Sequence, residues 1–195
     1  VLAVTLSAVA GIAATAALLP RRQGDGRLIV KIVLGAVLGL WVSGVSFLAV
    51  LMAGGPALSR AIMFDILAIL ASVLLYVGMR RLHATRTLEL VEGPPRSLAS
   101  LIWLAPLLAA VVIALMTTLP FTFAQPYGGW DAWANWNLKA RHFALGGDHW
   151  HHVYDPHMTE HWHDYPLWLP VSLARLWTYA GDTSPVIAQQ LSMGA

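Results

Sequence analysis

Cysteine is absent from this chain of 195 residues. A disulfide framework and a thiolate metal site are therefore excluded, and cysteine usage says nothing about the redox compartment. Charge is also scarce, because charged residues make up 11% of the sequence against about 25% in ordinary soluble domains. Hydrophobic residues make up 57%, and the mean hydropathy is +0.63. This composition predicts an all-α, polytopic membrane protein.

The basic balance of the chain does not indicate a nucleic-acid partner. The isoelectric point is about 9.2, yet the formal net charge is only +2. The Lys and Arg residues stand in short clusters between apolar runs, where they set the orientation of membrane helices. We therefore expect membrane lipid, and no nucleic acid, as a partner.

Four apolar runs are long enough to cross a hydrocarbon core, which takes about 20 helical residues. They cover residues 1–19, 28–53, 61–78 and 98–119. The sequence thus predicts four transmembrane helices within residues 1–120. No basic segment precedes the first run, so we interpret it as a retained helix rather than as a signal peptide.

The loops between these runs differ in positive charge. Residues 20–27 and 80–96 hold most of the Lys and Arg, whereas residues 54–60 hold a single Arg. Because basic loops stay in the cytoplasm, the fourth helix is expected to deliver residues 121–166 to the opposite face. We therefore expect an extracytoplasmic loop there.

Polar and aromatic side chains crowd into this loop. Helical spacing over residues 131–144 predicts an amphipathic helix that lies along the membrane interface. Its two faces would carry aromatic and polar side chains respectively: Trp133, Trp136, Ala140 and Phe143 on one, and Asp131, Asn135, Lys139 and His142 on the other, toward water or a cavity. Residues 167–195 would re-enter the membrane as one helix and begin a further one.

Asp131 is the first candidate for chemistry, because it follows a spanning helix on the outer face and comes directly after a Gly-Gly-Trp turn. A carboxylate at this position can act as a general base or bind a metal ion. The alternative is structural, since an Asp in the first turn of a helix caps it and interacts well with its dipole. The residue's position alone does not decide between the two.

Two motifs in the loop resemble a known enzyme superfamily. The first reads Gly129-Trp130-Asp131-Ala132-Trp133, followed by Trp136-Asn137-Leu138-Lys139-Ala140-Arg141, and the second reads Asp164-Tyr165-Pro166-Leu167. Their order, behind one spanning helix and ahead of the next, is similar to the first outer loop of the C-type (GT-C) integral membrane glycosyltransferases. The resemblance covers roughly the second half of the chain.

This resemblance implies a transferase that takes a sugar from a polyprenyl phosphate and passes it to a glycan, lipid or protein acceptor at the outer face of a bacterial inner (plasma) membrane. Asp131 would be its catalytic residue, a general base toward the acceptor. The implied substrate-binding residues surround the sugar and the phosphate: Trp133, Lys139, Arg141, His142, His163, Asp164 and Tyr165. Lys139 is preferred to Arg141 as the phosphate cation, because it shares the helical face of Asp131.

The His-rich part of the loop supports a different hypothesis. Its imidazole and carboxylate groups suit zinc or another transition metal, with His157, His161 and His163 as the candidate ligands. No fixed spacing supports such a site, so solvated histidines are the simpler interpretation. The sequence identifies no cofactor, and a divalent metal ion stays an open alternative. The chain would then be a non-catalytic module: a metal-binding or transporter subunit, or a purely structural helical subunit.

Two charged residues lie inside apolar stretches. We expect Asp65, near the outer end of the third run, to reach water or to pair with Arg60. We expect Arg175, in the re-entering stretch, to reach the membrane interface. The last residues look like the start of another apolar helix, so we also expect the chain to be part of a larger protein.

Overall fold

The computed structural model describes residues 1–18, 28–84, 104–126, 128–130, 132–155 and 166–194. Within these ranges the chain is helical and contains no strand. The all-α class expected from the sequence is therefore confirmed.

Seven α-helices lie within the described ranges. They are α1 (Leu2–Leu18), α2 (Leu28–Met52), α3 (Leu58–Ala84), α4 (Leu104–Ala124), α5 (Leu138–Leu145), α6 (Trp168–Ala180) and α7 (Pro185–Gly194). A π-helix, Ala132–Asn137, leads directly into α5, and a 3-10 helix, Gly147–Tyr154, follows it.

Two of these helices are long and apolar enough to cross a membrane. Their spans are Lys31–Met52 in α2 and Leu58–Leu82 in α3. The apolar parts described in α1 and α4, Leu2–Ala17 and Leu108–Ala124, are shorter. Only 11% of the apolar part of α3 is buried inside the protein, whereas the core helix of a soluble domain is mostly buried.

Helices α1 and α2 cross at very close range because small residues face each other. A Cβ atom added at Gly39 would overlap the carbonyl oxygen of Ser7, and one at Gly11 would overlap the backbone of α2. The Ser7 and Ser43 hydroxyls are hydrogen-bonded at 2.7 Å between Oγ atoms. Small residues spaced four apart, with hydroxyls as hydrogen-bonding groups, are typical of helix contacts inside membranes.

The turn between α2 and α3 is tight and depends on glycine. Gly54 and Gly55 have φ angles of +115° and +79°, which other residues rarely adopt. The Arg60 guanidinium donates to the carbonyl oxygen of Ala53 at 3.0 Å and closes the turn. The expected pairing of Arg60 with Asp65 is therefore not what the structure contains.

Helix α6 is the central helix of the described fold. Seven of its thirteen residues are buried, so it is covered on nearly all sides. It packs against α1, α2, α3, α5 and the π-helix. The core that it shares with its neighbours is apolar and includes Phe47, Leu51, Ala140, Phe143, Val153, Val171, Leu173, Ala174 and Trp177.

A fixed turn joins α6 to α7. Gly181 ends α6 with a φ angle of +66°, as expected of a helix C-terminus. The Trp177 indole donates to the carbonyl oxygen of Ser184 at 3.0 Å, and Pro185 is the first residue of α7. Both Gly and Pro thus occupy the helix-end positions that their backbone chemistry favours.

Helix α4 stands apart from this bundle. Every described side chain from residue 105 to residue 121 is exposed. Near its end, the Gln189 amide donates at 2.9 Å to the carbonyl oxygens of both Thr122 and Pro126. The carbonyl of Thr122 would normally accept from the backbone nitrogen four residues on, which is the proline nitrogen of Pro126 and carries no hydrogen. Gln189 supplies the missing donor.

Candidate functional site

The chain turns sharply between α4 and the loop helix. Gly128 has a φ angle of +78°, and a Cβ atom there would lie 2.5 Å from the Cβ of Ala132. Glycine is therefore needed at this position both for its backbone angle and for the space beside Ala132. The turn brings the start of the loop helix back beside the end of α4.

The loop helix begins as a π-helix rather than as an α-helix. Its wider turn runs from Ala132 to Asn137 and buries Ala134, Asn135 and Asn137. A π-helical turn advances each residue by a smaller angle than the 100° of an α-helix, so a face assigned at α-helical spacing does not continue through it. Segments of this kind are rare and are found often at functional sites.

The two expected faces of the loop helix consequently do not separate as the sequence indicated. Asn135 and Lys139, from the polar face, are each only 1% exposed and lie inside the protein. Ala140 and Phe143, from the aromatic face, are fully buried against α6, whereas Trp133 is 51% exposed. One side of the segment is thus a packing surface on α6.

The two cations of the loop helix differ in accessibility. Lys139 is enclosed, whereas Arg141 is half-buried, and its Nε is buried without a hydrogen-bond partner among the described residues. His142 is also half-buried, and its carbonyl oxygen accepts from the backbone of Gly146 at 2.9 Å, where α5 ends. Arg141 is therefore more accessible to a ligand than Lys139, and the preference for Lys139 as the phosphate cation stays a prediction.

Exposed aromatic rings accompany the start of the loop helix. The Trp130 and Trp133 rings lie 5.8 Å apart between centroids, and both are more than half exposed. Rings with an apolar body and one N–H group suit either a sugar face or the headgroup region of a membrane.

Several of the predicted site residues lie outside the described ranges. They are the catalytic candidate Asp131 and, in the second half of the loop, His157, His161, His163, Asp164 and Tyr165. Asp131 nevertheless sits in the sequence between Trp130 and Ala132, both of which are described. The backbone on either side of it is thus located at the turn beside α4.

A cleft of about 480 Å³ opens between α4 and this turn. One wall is an apolar stripe of α4, formed by Val111, Ala114, Leu115, Thr118 and Phe121. The opposite end is more polar and is formed by Gln125, Gly128, Gly129, Asn137 and Gln189. Ala132, the residue after Asp131, also lines the cleft. The cleft therefore joins an apolar groove to a polar end beside the neighbours of Asp131.

The described histidines do not form a metal site. In the 3-10 helix the His149 and His152 rings lie 5.0 Å apart between centroids, and the His151 and His152 rings 4.8 Å apart. No group of three or more His, Asp or Glu residues within the described ranges is arranged to hold a metal ion. Next to them, partial burial raises the pKa of the Tyr154 hydroxyl above its usual value.

The described residues contain a buried ion pair that was not predicted from the sequence. Asp65 in α3 and Arg175 in α6 form an ion pair at 2.7 Å, and both side chains are almost fully buried. Arg175 therefore does not reach the membrane interface, and Asp65 does not reach water. The available signal was one acid and one base in two separate apolar stretches, since such residues usually pair with each other.

Comparison with family models, curated proteins and solved structures yields no match for this chain. The glycosyltransferase resemblance therefore rests on the two loop motifs. The activity it implies is a proposal, to be judged by how well the cleft and the surrounding residues suit it.

Proposed function

We propose that this protein is a membrane glycosyltransferase that takes a sugar from a polyprenyl-phosphate donor and passes it to a glycan, lipid or protein acceptor. Asp131 acts as the general base toward the acceptor. The reaction takes place at the outer face of a bacterial inner membrane. The observation that supports this function most is the cleft between α4 and the loop helix.

The shape and lining of the cleft suit a lipid-linked sugar. A polyprenyl chain needs an apolar surface that is open to the bilayer, and the stripe from Val111 to Phe121 provides one on a helix whose described side chains are exposed. A sugar phosphate needs hydrogen-bonding groups, and the amides of Gln125, Asn137 and Gln189 lie at the other end. The junction of the two is where the bond to be broken would lie.

The two cations of the loop helix suit the departing phosphate. Arg141 has a buried Nε that is unpartnered within the described part of the chain, so it is the first cation in this proposal. Arg binds phosphate in a directional manner, because its planar guanidinium presents several donors at once. Lys139, which is enclosed by protein, is the second cation of the loop helix in this proposal. His142, Trp133 and the undescribed His163, Asp164 and Tyr165 complete the proposed substrate-binding set.

The membrane location is part of the proposal and has independent support. Two helices are long and apolar enough to span a bilayer, and many large apolar side chains on α2, α3 and α4 are exposed. Exposed apolar surface on this scale is not tolerated in water by a monomeric soluble protein. The basic loops at residues 20–27 and 80–96 then orient the loop helix to the extracytoplasmic face.

The proposal is tested by replacing Asp131 with Asn in the full-length protein. Membranes containing it are incubated with radiolabelled undecaprenyl-phosphate sugars, one sugar at a time, and transfer of the label is measured. We expect the variant to lose about 10²- to 10⁴-fold in transfer rate, the usual contribution of a general base. Protein level and membrane insertion should not change.

Asp148→Asn is the matched control, because Asp148 is an exposed carboxylate in the same loop. This variant should transfer sugar at the original rate. Full transfer by the Asp131→Asn variant would remove Asp131 from the mechanism. Treatment with EDTA in the same assay tests the open metal question, since a required divalent ion would make transfer sensitive to it.

A further inference from the structure

The Asp65–Arg175 ion pair joins two helices that are distant in sequence. Arg175 Nη2 lies 2.7 Å and Arg175 Nε 3.1 Å from Asp65 Oδ2, and Nε lies 3.3 Å from Oδ1. The side chains are 3% and 2% exposed, and 110 residues separate them. The pair therefore ties α3 to α6 deep inside the bundle.

Two further groups complete the network. Arg175 Nη2 also donates to the carbonyl oxygen of Ala3 at 3.0 Å, which brings in α1. The Tyr179 hydroxyl, one turn further along α6, donates to Asp65 Oδ2, and the Arg175 guanidinium lies 5.0 Å from the centre of the Tyr179 ring. Each group thus has a directional partner on another helix or in the next turn.

Stability alone does not account for this network. Removing two charges from water is costly, and buried ion pairs can often be replaced by apolar residues of similar volume without loss of stability. Directional hydrogen bonds differ from apolar contacts, because they are satisfied at only one rotation of the helix and one position along its axis. The hydrogen bonds of the network are therefore all satisfied at one register of α6 against α1 and α3.

The register of α6 determines where the loop helix lies. Val171 and Ala174 of α6 belong to the same buried core as Ala140 and Phe143 of α5. Helix α6 also packs on the π-helix that begins beside the cleft. A slide or rotation of α6 would carry these residues with it and displace the start of the loop helix from the end of α4.

We propose that Asp65, Arg175 and Tyr179 are positioning residues for the site at the loop helix, although none of them lines the cleft. They hold α6 in one register, and α6 holds the π-helix and α5 beside α4. This inference rests on the proposed function for its effect on turnover. Its mechanical part, the register of α6, can be measured without any activity.

The absence of cysteine makes that register measurable by disulfide formation. The position of a Cβ atom on Gly44 of α2 lies 3.2 Å from Ser172 Oγ of α6. Because Ser172 Oγ marks a position that the sulfur atom would take after Ser172→Cys, the two side chains are close enough for a disulfide, whose Cβ atoms are about 3.5–4.5 Å apart. Gly44→Cys with Ser172→Cys should therefore cross-link readily in the full-length protein, with no other thiol in this chain to compete.

The test variant combines Asp65→Leu, Arg175→Met and Tyr179→Phe. It replaces all three side chains of the network together, so no charge is left buried without its partner. We expect it to insert and fold, yet to form the 44–172 disulfide several-fold more slowly. Arg175→Lys is a second variant, which keeps the charge and loses the planar guanidinium. Its rate of disulfide formation should lie between those of the unaltered network and the triple variant.

The same substitutions without the cysteines test the link to function. With undecaprenyl-phosphate sugar as donor, we expect kcat to fall by about 10- to 100-fold, the effect of a small misplacement of reacting groups. KM should change little, because the cleft residues themselves are unaltered. Asp182→Leu, which removes an exposed carboxylate just after α6, is the control and should alter neither measurement.

Each outcome is decisive. Slower cross-linking together with lower kcat supports the proposal. Unchanged cross-linking overturns it, whatever the activity, because α6 would then keep its register without the network. Slower cross-linking with full turnover overturns the positioning role. If the unaltered protein transfers no sugar, the proposed function fails, and the disulfide measurement still decides whether the network sets the register.

Discussion

The bundle around α6 and the separate helix α4 are held in opposite ways. In the bundle, small residues let α1 and α2 touch, and a buried ionic network joins α1, α3 and α6. The described side chains of α4 from residue 105 to residue 121 are exposed, and Gln189 binds the helix near one end. The helices of the bundle are therefore held by lateral packing, whereas α4 is held by hydrogen bonds near one end.

This difference indicates which part of the molecule can adapt to a substrate. A helix that is packed on all sides cannot move without disturbing its neighbours, because protein interiors are closely packed. A helix attached near one end can change its separation from the bundle at little cost in packing. The cleft lies between the two regions, so one wall is rigid and the other is free to adjust to a lipid chain.

Replacing one leucine in each region should give the largest difference in the free energy of unfolding. Leu51 of α2 is fully buried, whereas Leu108 of α4 is 55% exposed. We expect Leu51→Ala to lower the free energy of unfolding by about 2–5 kcal/mol, the usual cost of a cavity, and Leu108→Ala by less than about 0.5 kcal/mol. Denaturant titration in mixed micelles measures both. Equal losses would mean that α4 is packed as firmly as the bundle.

The close crossing of α1 and α2 should tolerate no added side chain. Gly39→Val would place carbon atoms where the carbonyl oxygen of Ser7 lies. We expect a loss of about 2 kcal/mol in the same titration, because the helices must separate. Ala36→Val is the control, since Ala36 lies on an exposed part of α2. A stable Gly39→Val protein would show that this crossing is not tight.

The amide of Gln189 should account for the attachment of α4. Gln189→Ala removes two hydrogen bonds and leaves the Thr122 carbonyl without a donor, at a cost of about 1 kcal/mol. We expect faster hydrogen exchange in the last turn of α4, with the bundle unchanged. The neighbouring exposed Gln190, replaced by Ala, is the control. Identical exchange in both variants would show that something else holds α4.

Local chemistry made a good part of this fold predictable. Runs of apolar residues identify α1 to α4, and Gly181 and Pro185 mark the turn between α6 and α7, because these two residues have strong backbone preferences. The end of α5 likewise follows from Gly146 and Gly147. Such features depend on neighbours in the sequence, which are visible without a structure.

Other features were not predictable because they depend on distant partners or on unusual geometry. Nothing in the sequence near Asp65 indicates Arg175, so the nearer Arg60 was the natural but wrong choice of partner. The faces of the loop helix were assigned at α-helical spacing, and the π-helix changes that spacing from Ala132 onward. The burial of Lys139 follows from this local change. Asp131 stays a prediction, since it lies outside the described residues.

The separation between Asp65 and Arg175 also has a consequence for biogenesis. A ribosome that adds about 5–20 residues per second takes about 5–20 s to make the 110 residues between them. During that interval α3 is complete, but its acid has no arginine to bind. The ionic network that joins α1, α3 and α6 therefore cannot form until Arg175 has been made. A nascent chain halted before Arg175 should be the form most readily recognised by membrane quality-control proteases.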